Sequence, residues 1–188
     1  RPSFGSWVTY GLGSENQNLP GFIVMCPGGY PIVATRNWRS AFLPGAYQGT
    51  YLNTKNTKVE QLIANIKNST LKLSDQRQQL NLVQQLNRRH LKRRQKDAAL
   101  EARIESFELA YRMQFEASDA FDINKEPKYI HDAYGRSLHG RQLLITRRLI
   151  ERGVRFIQVW SGAGQPWDNH SGLKGSHASL AGQWDKPI

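Results

Sequence analysis

The chain has 188 residues and a mass of 21.5 kDa, which corresponds to roughly one domain at about 150 residues per domain. Hydrophobic residues make up 39% and charged residues 22%, so the composition argues against a disordered chain. No apolar run approaches about 18 residues, which argues against a transmembrane helix, and the single cysteine, Cys26, excludes an internal disulfide framework. Lysine and arginine number 26 against 15 acidic residues, and the net charge of +11 raises the question of a polyanionic partner.

The first third is predicted to alternate short elements with glycine-rich turns. The pattern favours a short helix over 6–12 that ends at Gly13. Residues 21–26 form a brief apolar run between two prolines, which is typical of a strand buried on both faces. Residues 27–57 have no clear period, so we expect an ordered loop whose interleaved aromatic side chains either line a functional site or simply pack.

The middle of the chain, 59–122, is predicted to be helical, with a first stretch over 59–66, a break at 68–70 and then a long helical hairpin. Ser74 is the expected N-cap of a helix that runs to about residue 94, and Asp97 is the expected cap of a second helix. Apolar residues recur along one face of the second helix at Leu100, Ile104, Phe107, Tyr111 and Phe115. A short basic turn would join the two helices in an antiparallel arrangement.

Six basic residues fall within nine positions of this hairpin. They are Arg88, Arg89, Lys92, Arg93, Arg94 and Lys96. The run is either a patch for a polyanion or the solvated end of a long helix, where cations complement the helix dipole. Because residues 81–99 carry no aromatic side chain for stacking on bases, and no nucleic-acid-binding motif accompanies the run, the sequence disfavours a nucleic-acid partner.

The last third has the pattern of an α/β fold with a mostly parallel sheet. A helix is predicted over 138–152 and ends at Gly153, where a left-handed residue is expected. A β-branched and aromatic strand follows directly at 154–160, and a glycine-rich turn then leads towards a further helix at 175–184. A helix, a one-residue stop and a strand in succession indicate the α/β class.

Asp168 and His170 are the candidate metal ligands. They lie just past the carboxyl end of the predicted strand, at the edge where open α/β sheets bind ligands, and their oxygen and nitrogen atoms suit Zn²⁺ or another divalent cation. The competing interpretation is a surface Asp and His in a glycine-rich loop. His177 is a third candidate, with a solvent-facing position in the next helix as its alternative. Cys26 is interpreted as a buried, inert thiol.

Several long motifs together resemble one known family. The most extensive runs from Pro2 to Phe22 with the sequence PSFGSWVTYGLGSENQNLPGF. The other motifs span 38–45, 47–50, 84–90, 106–114, 117–121, 147–160 and 164–170. On these residues the chain resembles a bacterial family of unknown function whose members are commonly labelled sulfatases, and which is placed near the alkaline phosphatase and sulfatase superfamily.

The resemblance implies an alkaline-phosphatase-like α/β sandwich of which residues 1–188 form the central part. The helical region would be 59–122, and 138–188 would be a unit of helix, strand and metal loop. The chain starts without methionine and stops just after the start of a helical pattern, so we expect it to be a piece of a longer protein. The resemblance also implies an exported or periplasmic location.

The same resemblance implies a two-metal site for sulfate or phosphate esters, with a divalent cation such as Zn²⁺, Ca²⁺ or Mg²⁺ and a nucleophile upstream of this chain. Residues 167–170 would form one of the later ligand loops. The superfamily spaces its Asp and His four residues apart, whereas position 172 is glycine here. Arg36 and Arg39 are candidates for bidentate hydrogen bonds to a sulfate or phosphate, the alternative being ordinary surface arginines.

Three functions follow as hypotheses. The first is a metal-dependent hydrolase of small sulfate or phosphate esters, in which this chain by itself is inactive. The second is a non-catalytic binding or structural relative that keeps the fold. The third is a polyanion-binding module that works through the basic hairpin. The sequence predicts no membrane span and makes no prediction about the oligomeric state.

Overall fold

A computed structural model of the protein describes residues 1–63, 70–93 and 98–188. Three strands are described: β1 at Phe22–Met25, β2 at Thr50–Leu52 and β3 at Phe156–Val159. They form a parallel sheet in the order β2–β1–β3. The register pairs Ile23 with Thr50 on one side and with Ile157 on the other, so β1 is the central strand. The α/β class and the parallel sheet predicted from the sequence are confirmed.

Helices cover both faces of this sheet. They are α1 Phe4–Leu12, α2 Val59–Leu62, α3 Leu73–Arg93, α4 Ala98–Phe121, α5 Lys128–Tyr134, α6 Leu138–Glu151 and α7 Leu173–Trp184. Short 3₁₀ segments lie at Ala34–Trp38, Gly45–Tyr47 and Ile123–Lys125. Within the described ranges, none of these helices combines the length and apolar character needed to cross a membrane.

Several element boundaries differ from those predicted. Helix α1 begins at Phe4 because Ser3 caps it, with its hydroxyl accepting the Ser6 N–H at 3.4 Å. Ser74 is not a cap, since α3 begins one residue earlier and the Lys72 carbonyl accepts its first N–H groups. The predicted loop over 27–57 contains two of the 3₁₀ segments, Ala34–Trp38 and Gly45–Tyr47, together with β2. Strand β3 is shorter than the predicted strand. Residues 64–69, where the first helical stretch was predicted to end and the break to begin, lie outside the described residues.

The core lies on both faces of β1. On one face Ile23 and Met25 pack against buried apolar side chains of α4 and α6, including Phe121 and Leu149. On the other face Phe22 and Val24 pack with Trp38, and α1 covers this layer. Because the four β1 side chains are at most 2% exposed, each contributes on the order of 1.5–3 kcal/mol through burial. The continuous apolar run of the sequence is thus explained by two covered faces.

Helices α3 and α4 contact each other through polar side chains. Arg77 Nη1 lies 2.9 Å from Glu108 Oε2, and Gln114 Nε2 donates to Gln76 Oε1 at 2.9 Å. The turn that would join the helices, 94–97, lies outside the described residues, so the antiparallel hairpin stays a prediction.

A buried arginine joins α6 to the end of α4. Arg148 is 5% exposed, and its guanidinium donates to the carbonyls of Ala120 at 3.2 Å and Asp119 at 2.8 Å. It also forms an ion pair with Glu126. The last carbonyl groups of a helix have no N–H partner within that helix. Arg148 donates to two such carbonyls of α4 and so joins the end of α4 to α6.

The N-terminus of α6 carries a second buried polar pair. His139 is 1% exposed, its Nδ1 lies 2.6 Å from Gln142 Oε1, and its ring stacks on Trp184 of α7 at 4.0 Å between centroids. Burial lowers the pKa of His139 below the ordinary histidine value, because the charged form loses its hydration, although hydrogen bonds to its neighbours oppose this effect. His139 is therefore neutral at neutral pH.

Gly140 is required where α6 passes the end of α5. A Cβ added there would lie 2.7 Å from the Gly135 carbonyl oxygen and closer still to that of Tyr134. We expect Gly140→Ala to lower the free energy of unfolding by about 1–3 kcal/mol, measured by urea denaturation. The matched control is Gly182→Ala in α7, where the added Cβ meets nothing within 4 Å and should be neutral or stabilising. Equal effects of the two substitutions would contradict the packing at Gly140.

Stability should depend on pH through His139. Its folded-state pKa is depressed, so the unfolded state binds a proton that the folded state does not, and stability falls as pH drops below about 6.5. The slope should reach at most about 1.4 kcal/mol per pH unit for one such group. We expect the difference in unfolding free energy between the wild type and His139→Gln to shrink as pH falls. A difference that stays constant between about pH 7.5 and pH 5 would contradict a neutral His139.

Candidate functional site

The candidate site lies at the carboxyl edge of the sheet. Because the three strands are parallel, their carboxyl ends meet at one edge, which is where open α/β sheets bind ligands. The loops that leave this edge are 26–30 after β1, 53–58 after β2 and 160–172 after β3. The loop of residues 160–172, in which the sequence predicts metal ligands, thus follows the end of the parallel strand β3.

Hydrogen bonds donated by backbone amides join these three loops. The Gly28 N–H donates to the Asn53 side chain at 3.0 Å, which links the loops after β1 and β2. The Gly164 N–H donates to the Tyr30 carbonyl at 2.9 Å, which links the loops after β3 and β1. Gly28 and Gly164 have φ values of 78° and 67°, so both turns use a conformation that glycine adopts without steric strain.

Asp168 and His170 lie side by side in the loop after β3. Asp168 Oδ1 is 3.7 Å from His170 Nε2. Both side chains are open to solvent, Asp168 at 54% and His170 at 91% exposure. A tight turn presents them, in which the Asp168 N–H donates to the Gln165 carbonyl at 3.0 Å. In the part of the chain that the structure describes, no third carboxylate, histidine or cysteine completes a metal-binding group with them.

His177 contacts the same loop from α7. Its Nε2 lies 3.1 Å from the Trp167 carbonyl oxygen, and because a carbonyl only accepts, Nε2 carries the proton. The His177 and Trp167 rings also lie 5.7 Å apart, and the Trp167 indole N–H donates to Ser161 Oγ at 2.9 Å. His177 therefore joins α7 to the loop that carries Asp168. The sequence did not reveal this contact.

Arg36 and Arg39 are both exposed. Arg36 lies in the 3₁₀ segment Ala34–Trp38, and Arg39 follows it, with its Nε donating to the Arg1 carbonyl at 3.4 Å. Among the described residues, neither arginine forms a hydrogen bond or ion pair with the loop that carries Asp168. The structure does not bring the predicted anion-binding arginines into contact with the predicted metal ligands.

Two other sequence features have a clear position. Cys26 directly follows β1 and is fully buried, and burial raises the pKa of its thiol to about 11. It is therefore a thiol rather than a thiolate at neutral pH, as an inert core residue would be. In the basic run, Arg88 and Arg89 are exposed on α3, whereas Arg94 and Lys96 lie outside the described residues.

An aromatic cavity of about 700 Å³ lies next to the Asp168 loop. Its walls include Trp160 at the end of β3, Trp167 in the loop and Trp184 of α7. The indole nitrogens of Trp160 and Trp184 are buried and have no hydrogen-bond partner among the described residues. The sequence shows these tryptophans, but their separation along the chain hides the fact that they share one cavity.

A second feature that sequence reasoning missed lies beyond β2. Thr54 follows this strand and is fully buried, and its carbonyl accepts a hydrogen bond from Arg141 of α6. Arg141 also lines a cavity of about 480 Å³ together with the loop after β2. One signal was present in the sequence: Arg141 lies seven residues before the buried Arg148, and therefore on the same inward face of α6.

Comparison with known proteins gives a family but no individual relative. No curated protein and no solved structure matches the chain. A family model with the description "Protein of unknown function (DUF1501)" matches residues 1–188. The match covers the whole chain and includes the sheet, its carboxyl edge and the loop that carries Asp168 and His170. The chain therefore belongs to DUF1501, a family of proteins of unknown function.

Proposed function

We propose that the carboxyl edge of this sheet forms part of the active site of a metal-dependent hydrolase of sulfate or phosphate esters. In this proposal Asp168 and His170 are metal ligands, and the fold extends to an alkaline-phosphatase-like sandwich in the full-length protein. The observation that carries the proposal is the placement of a carboxylate and an imidazole 3.7 Å apart, just past a parallel strand.

The ligand types and their spacing fit part of a metal site. A carboxylate oxygen and a neutral imidazole nitrogen at this distance can converge on one divalent cation, and their exposure leaves a path for its entry. Two ligands are fewer than the four of a closed zinc site, so the proposal requires further ligands from outside the described residues. When bound, a divalent cation polarises an ester oxygen and lowers the pKa of a bound water or nucleophile.

His177 has the hydrogen bond that metal-bound histidines commonly make. Metal-ligating imidazoles usually donate their second ring N–H to a backbone carbonyl or a carboxylate, which fixes the tautomer. His177 Nε2 makes such a bond to the Trp167 carbonyl, so its Nδ1 is the free acceptor nitrogen. Because His177 does not complete a metal-binding group with Asp168 and His170 among the described residues, we assign to it the role of holding the Asp168 loop against α7.

The aromatic cavity provides a place for the organic part of an ester. Trp160, Trp167 and Trp184 form apolar walls next to the metal loop. An apolar pocket with a few polar groups at one end is the usual form of a small-molecule site. The ester group would then lie towards Asp168 and His170, and its organic group would pack on the aromatic rings.

Arg36 and Arg39 are assigned to binding the sulfate or phosphate group. Both are exposed, so they are free to hydrogen bond to a sulfate or phosphate that approaches from solvent. Since neither contacts the Asp168 loop among the described residues, they would act only on a ligand large enough to span the distance.

One observation favours the second hypothesis, a non-catalytic relative of the same fold. In the described ranges no group of three or more potential ligands is assembled, and His170 is almost fully exposed. A protein that kept the fold and lost the chemistry would show the same open pair. Metal affinity and ester hydrolysis, measured separately, distinguish the two hypotheses.

We expect the full-length protein to bind Zn²⁺ and to hydrolyse 4-nitrophenyl sulfate or 4-nitrophenyl phosphate. Asp168→Asn and His170→Gln should each weaken Zn²⁺ binding by about tenfold or more, because each removes a direct ligand. Isothermal titration calorimetry gives the affinity, and release of 4-nitrophenolate gives the activity.

Matched controls are Asp132→Asn on α5 and His90→Gln on α3, which remove the same functional groups at exposed positions away from this edge. Unchanged Zn²⁺ affinity in Asp168→Asn and His170→Gln would overturn the proposed ligands. Zn²⁺ binding that depends on both residues, without hydrolysis of either ester, would overturn the hydrolase and support the non-catalytic relative.

A further inference from the structure

A cavity of about 480 Å³ lies beyond the carboxyl end of β2. Three parts of the chain form its walls: the loop after β2, the segment that follows α4, and the inward face of α6. The lining residues that carry polar groups are Asn56, Thr57, Lys58, Asp122, Asn124 and Arg141. Because the cavity lies at the carboxyl edge of a parallel sheet, its position is one where ligands bind in open α/β folds.

Arg141 differs from the arginines that follow it on α6 and at the C-cap of that helix. Arg147, Arg148 and Arg152 each form an ion pair with a carboxylate. In the described part of the chain Arg141 has no acidic partner, and its guanidinium contacts protein through the Thr54 carbonyl. A partly buried cation without a counter-charge is unfavourable in a protein interior, and its burial correspondingly lowers the pKa of Arg141.

Unpaired polar atoms accompany this unpaired charge. The Arg141 Nε and the Thr54 Oγ1 are both buried, and neither has a hydrogen-bond partner among the described residues. Thr54 is fully buried, so solvent does not satisfy its hydroxyl. Buried donors are nearly always paired in folded proteins, so the guanidinium of Arg141, which lines the cavity, lacks an acceptor, whereas Thr54 lies behind the cavity wall and does not line it.

The remaining polar groups of the cavity leave it electropositive. Lys58 is exposed at the rim and adds a second positive charge. Asp122 is the one acidic residue of the described lining, and its Oδ1 accepts the Asn124 N–H at 3.2 Å as the cap of a 3₁₀ turn. Among the described residues Asp122 forms no ion pair with Arg141 or Lys58, and the lining carries two positive charges against one negative charge.

We propose that this cavity binds an oxyanion, the phosphate, sulfate or carboxylate group of a small molecule, with Arg141 as the principal hydrogen-bond donor and Lys58 as the second cation. A guanidinium presents several N–H donors in one plane and matches such oxygens, and charge-assisted hydrogen bonds are stronger than neutral ones. An oxyanion would supply the counter-charge that Arg141 lacks.

This site is separate from the proposed metal site. The cavity follows β2, whereas Asp168 and His170 follow β3, and these are the two outer strands of the sheet. No residue of the cavity wall belongs to the loop after β3. The inference does not depend on metal binding or on ester hydrolysis, and it can hold if both are absent.

The test uses inorganic phosphate, inorganic sulfate and acetate as probes, titrated into the full-length protein at constant ionic strength against chloride. We expect at least one probe to bind, and the relative affinities identify a tetrahedral or a planar oxyanion. Arg141→Met should weaken that binding by about tenfold or more, and Lys58→Met by about threefold. Arg103→Met is the matched control, since Arg103 is exposed on α4 and does not line the cavity.

A direct readout on the wild type covers the case in which Arg141→Met does not fold. In ¹⁵N-labelled protein the Arg141 Nε–H resonance, assigned by its loss in Arg141→Lys, should shift on addition of the bound probe with the same dissociation constant as the calorimetric titration. The proposal is overturned if no probe binds. It is also overturned if the Arg141 resonance does not move, or if Lys58→Met and Arg103→Met change the affinity equally.

Discussion

The buried central strand constrains the rest of this fold. The side chains of β1 are at most 2% exposed, with Phe22 and Val24 on one face and Ile23 and Met25 on the other. A strand buried on both faces must have its backbone N–H and C=O groups paired on both sides, which β2 and β3 provide. Because both neighbours are parallel to β1, the loops after all three strands begin at one edge of the sheet.

Helix α6 connects the two halves of that edge. Arg141 donates to the Thr54 carbonyl after β2, and the adjacent Gln142 donates to the Trp160 carbonyl at the end of β3, at 3.4 Å. One helical turn therefore contacts the ends of both outer strands, between the cavity that we assign to an oxyanion and the loop that carries Asp168. The buried Arg148 also joins α6 to the end of α4, so α6 is held both at the sheet edge and against α4.

The sequence predicted the elements whose signal is local. The apolar run of β1, the helix over α6 and the strand that follows Gly153 were all predictable from composition and spacing. Strand β2 was not, because Thr50–Leu52 is too short to show alternation. The cavity at Arg141 was not predictable either, since it depends on a contact between residues 87 positions apart. The proximity of Asp168 and His170 was predictable because the two residues lie within three positions of each other in the sequence.

The most direct test of this account is anomalous diffraction at the zinc edge from crystals of the full-length protein grown with Zn²⁺. We predict an anomalous peak about 2.0–2.2 Å from a carboxylate oxygen of Asp168 and from a ring nitrogen of His170, with further ligands completing the coordination. A zinc ion bound elsewhere, or its absence from this loop at saturating Zn²⁺, would contradict the assignment of Asp168 and His170 as metal ligands.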